Sequence, residues 1–197
     1  MNIHTIASVV VAGLLLVACG NNSATNSTTT EQGETETSSP RAKPAEREGW
    51  RTFASKDFSI EYPAGWTLQT ATSIGAKFVL LAPGAEQSAY GENINMFVQN
   101  LGSARMTAKD YSSIAMEQIR GTIADAEVLN QTMGNNGQDD FFEVTFAGSQ
   151  GIVDLQWLQR FYVRGGNAYV LTYSGQRANY DKHTAEATAI LDGFTLE

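Results

Sequence analysis

Apolar and polar positions divide the chain into three zones with different periods. Residues 6–17 form a nearly continuous apolar run, closing through Leu14, Leu15, Leu16 and Val17 onto Ala18 and Cys19. Residues 20–48 are rich in Asn, Ser, Thr, Gly and Glu, carry Pro40 and Pro44 near their end, and hold no apolar residue larger than Ala. From residue 49 the chain alternates with the two-residue period of strands and, twice, with the 3.6-residue period of helices.

In the third zone Phe58, Ile60 and Tyr62 alternate with Ser59 and Glu61 until Pro63-Ala64-Gly65 interrupts, which predicts a strand and then a hairpin into Trp66-Thr67-Leu68. Residues 77–82 are a short apolar run closed by Pro83-Gly84, and residues 93–101 alternate through Ile94, Met96 and Val98; both read as strands. The period then changes. Thr107 with Asp110 three positions on is a capping pair, and Tyr111, Ile114, Ala115, Ile119 and Ile123 share one face of a helix running to about residue 124. Residues 127–133 lead into Asn135-Asn136-Gly137, whose Asn-Gly pair suits the positive φ of a tight hairpin. Phe142, Val144 and Phe146 mark the next strand and residues 148–151 the next turn. Along residues 155–163 one face carries Leu155, Trp157, Phe161 and Val163, the other Gln156, Arg160 and Tyr162. Gly165-Gly166-Asn167 turns the chain back into residues 168–173, and a last helix from about residue 179 aligns Tyr180, Thr184, Ala187, Leu191 and Phe194 before Gly193 lets it end. Strands, helix, four strands, helix: this order predicts an α+β fold, an antiparallel β-sheet flanked by helices in an α/β/α-type sandwich, as a single globular domain over residues 49–197.

The first two zones concern location. The run is shorter than the ~20 apolar residues of a spanning helix, and it ends in small residues followed by the only cysteine of the sequence. Leu16-Val17-Ala18-Cys19 resembles the lipobox of bacterial lipoprotein signal peptides. That resemblance implies a signal peptide over residues 1–19 and lipidation of Cys19. Met1-Asn2-Ile3-His4 departs from the usual start in having no Lys or Arg. Residues 20–48 offer too little apolar surface to offset their ordering entropy and read as a disordered tether, with a reach of roughly 30 Å. The domain is therefore expected on the extracytoplasmic side of a cell membrane or outer membrane, attached through its N-terminal lipid.

Composition narrows the partners. With 42% hydrophobic residues in 197, the domain buries a core without staples, and one Cys allows no intramolecular disulfide. The formal net charge is −8, of which −6 falls on residue 49 onward, with no basic cluster. Such a surface repels phosphate backbones, so nucleic acid is not an expected partner. Once the signal is removed His183 is the sole histidine, which leaves too few ligands for a His/Cys zinc site. Asn135, Asn136, Gln138, Asp139 and Asp140 lack the alternating ligands and terminal Glu of an EF-hand and read as a solvated turn. No metal and no cofactor are expected.

Two constellations carry candidate chemistry. Ala147-Gly148-Ser149-Gln150-Gly151 is a variant of the hydrolase elbow, followed in chain order by Asp154 or Asp181 and then His183. The elbow requires a strand, a sharp turn and then a helix, whereas residue 152 onward reads as another strand. Ser149 is thus expected as a hairpin turn residue, His183 as a helix surface residue, and no residue as catalytic. Trp157, Phe161, Tyr162, Tyr169 and Tyr173 admit two readings, as the lining of a ligand cleft or as core and cross-strand packing.

Phe58-Ser59-Ile60-Glu61-Tyr62-Pro63-Ala64-Gly65-Trp66 resembles the opening of PsbP-like domains, and Tyr169-Val170-Leu171-Thr172-Tyr173, a closing helix and Leu191-Asp192-Gly193-Phe194 resemble their end, over about residues 49–197. The wider fold includes photosystem II extrinsic subunits, a Ran-binding nuclear import factor, secretion-effector chaperones and envelope lipoproteins of the DcrB kind. What the resemblance implies is docking to other proteins, with no catalytic residue to carry over. The expectation is a monomeric, non-enzymatic envelope lipoprotein that binds another envelope or secreted protein. The alternatives are a small-ligand carrier using an aromatic-lined cleft and a Ser-type hydrolase using Ser149 and His183.

Overall fold

Alternation, caps and glycine turns set the order of elements in the computed structural model, which describes residues 47–88 and 90–197. Cys19, the 1–19 signal and nearly all of the 20–48 tether lie outside the described residues. The elements are β1 (Trp50–Ala54), β2 (Phe58–Pro63), β3 (Thr67–Gln69), β4 (Phe78–Leu81), β5 (Asn93–Asn100), α1 (Ala108–Thr122), β6 (Ala124–Asn135), β7 (Asp140–Gln150), β8 (Val153–Arg164), β9 (Asn167–Gln176), α2 (Asp181–Asp192) and β10 (Thr195–Leu196). A seven-stranded antiparallel sheet runs β3-β4-β5-β9-β8-β7-β6, and a three-stranded one runs β1-β2-β10. None of the helices among the described residues is long and apolar enough to cross a membrane.

The large sheet is covered on both faces. Tyr111, Ala115, Met116 and Ile119 of α1 pack on Val144, Phe146, Trp157 and Phe161. On the other face, Ile190 and Leu191 of α2 and Phe58 and Ile60 of the small sheet pack with Leu158, Tyr162, Leu171 and Tyr173. The period-2 strands feed both cores at once, which is why β8 is buried along most of its length. Arg160, on the α2 face, is also buried: its Nε lies 2.6 Å from Glu143 on β7 and its Nη1 2.7 Å from Asp192 at the end of α2, with Phe141 beneath the guanidinium. Thr107 and Asp110 form the expected capping box, their side chains accepting from each other's backbone N–H at 3.2 and 2.9 Å; those bonds hold the Asp110 carboxyl below its usual range.

Several expectations are corrected. Trp66-Thr67-Leu68 does not return along Phe58–Pro63: β2 pairs with β1 and β10, whereas β3 pairs with β4 in the other sheet. The break at Pro63-Gly65 carries the chain between sheets, with Trp66 buried as it crosses. The turn expected over residues 148–151 sits at Gly151 and Ile152, and β7 continues to Gln150. Gly148 is a strand residue of another kind, since a Cβ there would meet Ile123 Cγ2 at 2.5 Å and Ala124 O at 2.8 Å. The corner from α1 into β6 rests directly on it. Gly137 closes the β6–β7 hairpin with φ 92°, and Gly165 and Gly166 close β8–β9 with φ 60° and 75°, as the sequence predicts.

Candidate binding cleft

Glu92 precedes β5 and is drawn inward by two local features. Ala82 N donates to its carbonyl, setting Glu92 beside the end of β4, and Gly175 of β9 leaves the space its side chain occupies: a Cβ on Gly175 would stand 3.2 Å from Glu92 Cγ. Burial pushes the Glu92 carboxyl above its ordinary 4.5, and the neighbouring His183 and Lys182 offset only part of that shift. The first turns of α2 face this carboxylate. His183 Nε2 lies 3.6 Å from Glu92 Oε2, and its Nδ1 3.6 Å from Glu186 Oε2. Trp66 Nε1 donates to the same Glu186 oxygen at 3.0 Å, with its ring edge-on to the imidazole at 6.0 Å. Above this group lies a cleft of about 360 Å3, lined by Pro83, Gln87, Ser88, Glu92, Asn179 and Lys182. It combines a carboxylate of reduced acidity, an ammonium group and two amides, a set suited to gripping a polar or charged group by hydrogen bonds.

The structure separates the residues of the hydrolase reading. Ser149 lies near the end of β7, where its hydroxyl donates to Asp154 Oδ1 at 2.8 Å across the hairpin. β8 and β9 stand between β7 and β5 in the sheet order, and His183 is engaged by Glu92 and Glu186 beyond them. Asp181 is the first residue of α2. Among the described residues, Ser149 and His183 form no pair. His183 is not the surface residue the sequence suggests, because it is buried against Trp66. The aromatic set is core: Trp157 and Phe161 lie under α1, and Tyr162, Tyr169 and Tyr173 pack with the α2 layer. The Asn/Asp turn is likewise engaged within the protein. Asn136 Oδ1 accepts from Gln138 N and Asp139 N, its Nδ2 donates to Phe194 O, and Asp139 pairs with Arg164. Among the described residues no group of three or more His, Cys, Asp or Glu is placed to hold a metal ion.

Sequence reasoning missed Glu92, Lys182 and the Trp66–Glu186 bond. Their signals are weak, since a lone acidic residue before a strand and Lys-His within an otherwise polar helical turn look like solvated surface.

No protein-family model matches the sequence, and no curated protein matches it. Solved structures do match the fold. Cyanobacterial PsbP (CyanoP) from Synechocystis sp. PCC 6803 superposes with a TM-score of 0.57 at 13% identity, covering 80% of this chain and 98% of that one. LpqN of Mycobacterium tuberculosis, described as involved in cell envelope biogenesis, superposes at 0.60 and 11% identity, covering 75% and 91%. A protein from Bacteroides thetaiotaomicron superposes at 0.51 and 14%, covering 76% of this chain and 49% of that one. The chain has a PsbP-like α+β fold.

Proposed function

We propose that the protein is a lipid-anchored accessory module of the cell envelope, in which the cleft over Glu92 docks a polar segment of another envelope or secreted protein. In this reading residues 1–19 are removed as the signal peptide ending in the lipobox, Cys19 carries the acyl groups, residues 20–48 are the tether, and the domain of residues 49–197 works outside the cytoplasm. The observation that carries the docking role is the cleft itself, where Glu92 and Lys182 come from different elements to face one opening of about 360 Å3. A structural neighbour with a role in cell envelope biogenesis supports the compartment.

Two experiments test the reading. The full chain should incorporate a radioactive fatty acid, and Cys19→Ser should abolish the label; label retained by that variant removes the anchor. A photo-crosslinking residue at Gln87 or Ser88 in the full chain should yield a reproducible adduct with another envelope protein, lost on Lys182→Glu. Absence of any protein adduct at both positions would reject the docking role.

A further inference from the structure

We infer that the free edge of β6 pairs with the same edge of a second copy, joining two seven-stranded sheets across a two-fold axis centred on Met133. β6 is an outer strand of 12 residues, while the opposite edge of the same sheet, β3, has three. Leu129 and Met133, both on β6, are two of the three exposed large hydrophobic residues among those described. Edge strands are normally blunted by Lys, Pro or bulges. Here there is no Pro or Lys, and residues 128–138 carry no charge at all. The register irregularities fall between Ala124 and Asn130, leaving a regular ladder from Asn130↔Thr145 to Asn135↔Asp140.

That regular stretch has a defined outward face. Asn136 N donates to Asp139 O at the hairpin, and bonded pairs alternate along an antiparallel ladder. Gln131, Met133 and Asn135 therefore turn their backbone N–H and C=O away from β7. A second copy laid antiparallel about Met133 sets each Met133 beside the other and each Gln131 opposite an Asn135, whose own amide is held by Asp140 and Gly137 N, so a thioether meets a thioether and uncharged side chains meet on either side. No like charges meet along this stretch. The self-complementary pattern favours a second copy over a foreign strand.

The contact is small beside the ~1,200 Å2 at the lower end of specific interfaces, which makes it weak in dilute solution. Anchoring both copies in one membrane, which rests on the Cys19 reading, raises their effective concentration. Because each domain carries −6, long-range repulsion opposes approach, and added salt should strengthen the pairing. The sequence expectation of a monomer takes no account of this edge.

A photo-crosslinking residue at Thr132 of the full chain, in the host membrane, provides the test, with Glu117 on the exposed side of α1 as the control position. The expected product from Thr132 has twice the chain mass, yields peptides of this chain alone, increases with salt, and is absent from Glu117. Introducing Met133→Lys should reduce it at least tenfold while the protein stays folded and membrane-bound. Gln131→Pro, which removes an outward N–H and the Gln131 amide but no backbone bond to β7, should do the same. The product should also form in detergent at high protein concentration, so a failure of anchoring and a failure of pairing give different results. Adducts only to other proteins, equal self-adducts from both positions, or none at all would overturn the inference.

Discussion

Glu92 and His183 show how much a single side chain's surroundings decide. The carboxyl of Glu92 titrates above its ordinary 4.5 because burial disfavours its charge more than His183 and Lys182 restore it. A group whose folded pKa is raised stabilises the fold fully below its unfolded pKa, and that contribution is lost as pH rises through the folded value. Glu92→Gln removes the effect. The unfolding free energy of the variant relative to the parent should therefore grow as pH rises above 4.5 and then level off, measured by urea unfolding between pH 4 and 7; a pH-independent difference would show that the burial is not felt. His183→Ala follows the opposite logic. A surface histidine would cost little, but this ring is buried on Trp66 and lies near the Glu92 carboxylate. Its removal opens a cavity and leaves the carboxylate with less compensation, for an expected loss of about 2 kcal/mol, and urea unfolding at pH 6 checks it.

At the level of elements, strand faces were the most legible feature and connections between sheets the least. The capping box at Thr107, the glycine pair at Gly165-Gly166 and the two faces of β8 are local signals, and the structure bears them out. β1 and β10 gave no such signal because they are short and mostly edge-paired: Trp50 and Phe53 are only partly buried, and β10 has two residues. The destination of the chain after Pro63 depends on which sheet receives it, and at the crossing Trp66 is held by a bond to Glu186, 120 positions away. The cleft was illegible for the same reason, since Glu92 and Lys182 are 90 positions apart in the chain. Two substitutions test these joints. Gly148→Ala places a methyl within 2.8 Å of the Ala124 carbonyl, so the α1–β6 corner must shift, and a loss of about 2–3 kcal/mol is expected by chemical unfolding. Arg160→Ala strips the cation from Glu143, which is largely buried on β7, and cuts the tie to Asp192 on α2. Removing one partner of a buried pair costs about 3–5 kcal/mol, whereas Arg160→Lys, which keeps the charge but not the fork, should recover part of that loss.

Across the whole molecule, the two larger hydrophobic cores and a small third cluster at Ala76, Val79 and Phe97 are assembled from residues between Trp50 and Leu196 among those described. The two ends of this span are tied to the same strand: β1 pairs along β2 from Trp50↔Pro63 to Ala54↔Ser59, and β10 takes the other side of β2 through Thr195↔Ser59 and Leu196↔Phe58. Ser59 and Thr195 share a hydroxyl hydrogen bond of 2.7 Å, Glu197 N donates to Asp57 O, and Arg164 donates to the Leu196 carbonyl. Residues 195–197 therefore close the small sheet, and just ahead of Gly49 the Arg47 guanidinium lies over the Trp50 ring. Residues 49–197 alone are accordingly expected to unfold in one cooperative transition, with a midpoint within about 2 °C of that of the chain beginning at Gly20. Removing residues 194–197 as well should lower it sharply, because Phe194 is fully buried against Phe58 and Tyr162 and burial of a Phe side chain contributes about 3–5 kcal/mol. Differential scanning calorimetry on the three chains decides the matter: a broad, non-cooperative transition for residues 49–197 would mean that the preceding segment is part of the folded unit and that the tether boundary lies further toward Cys19.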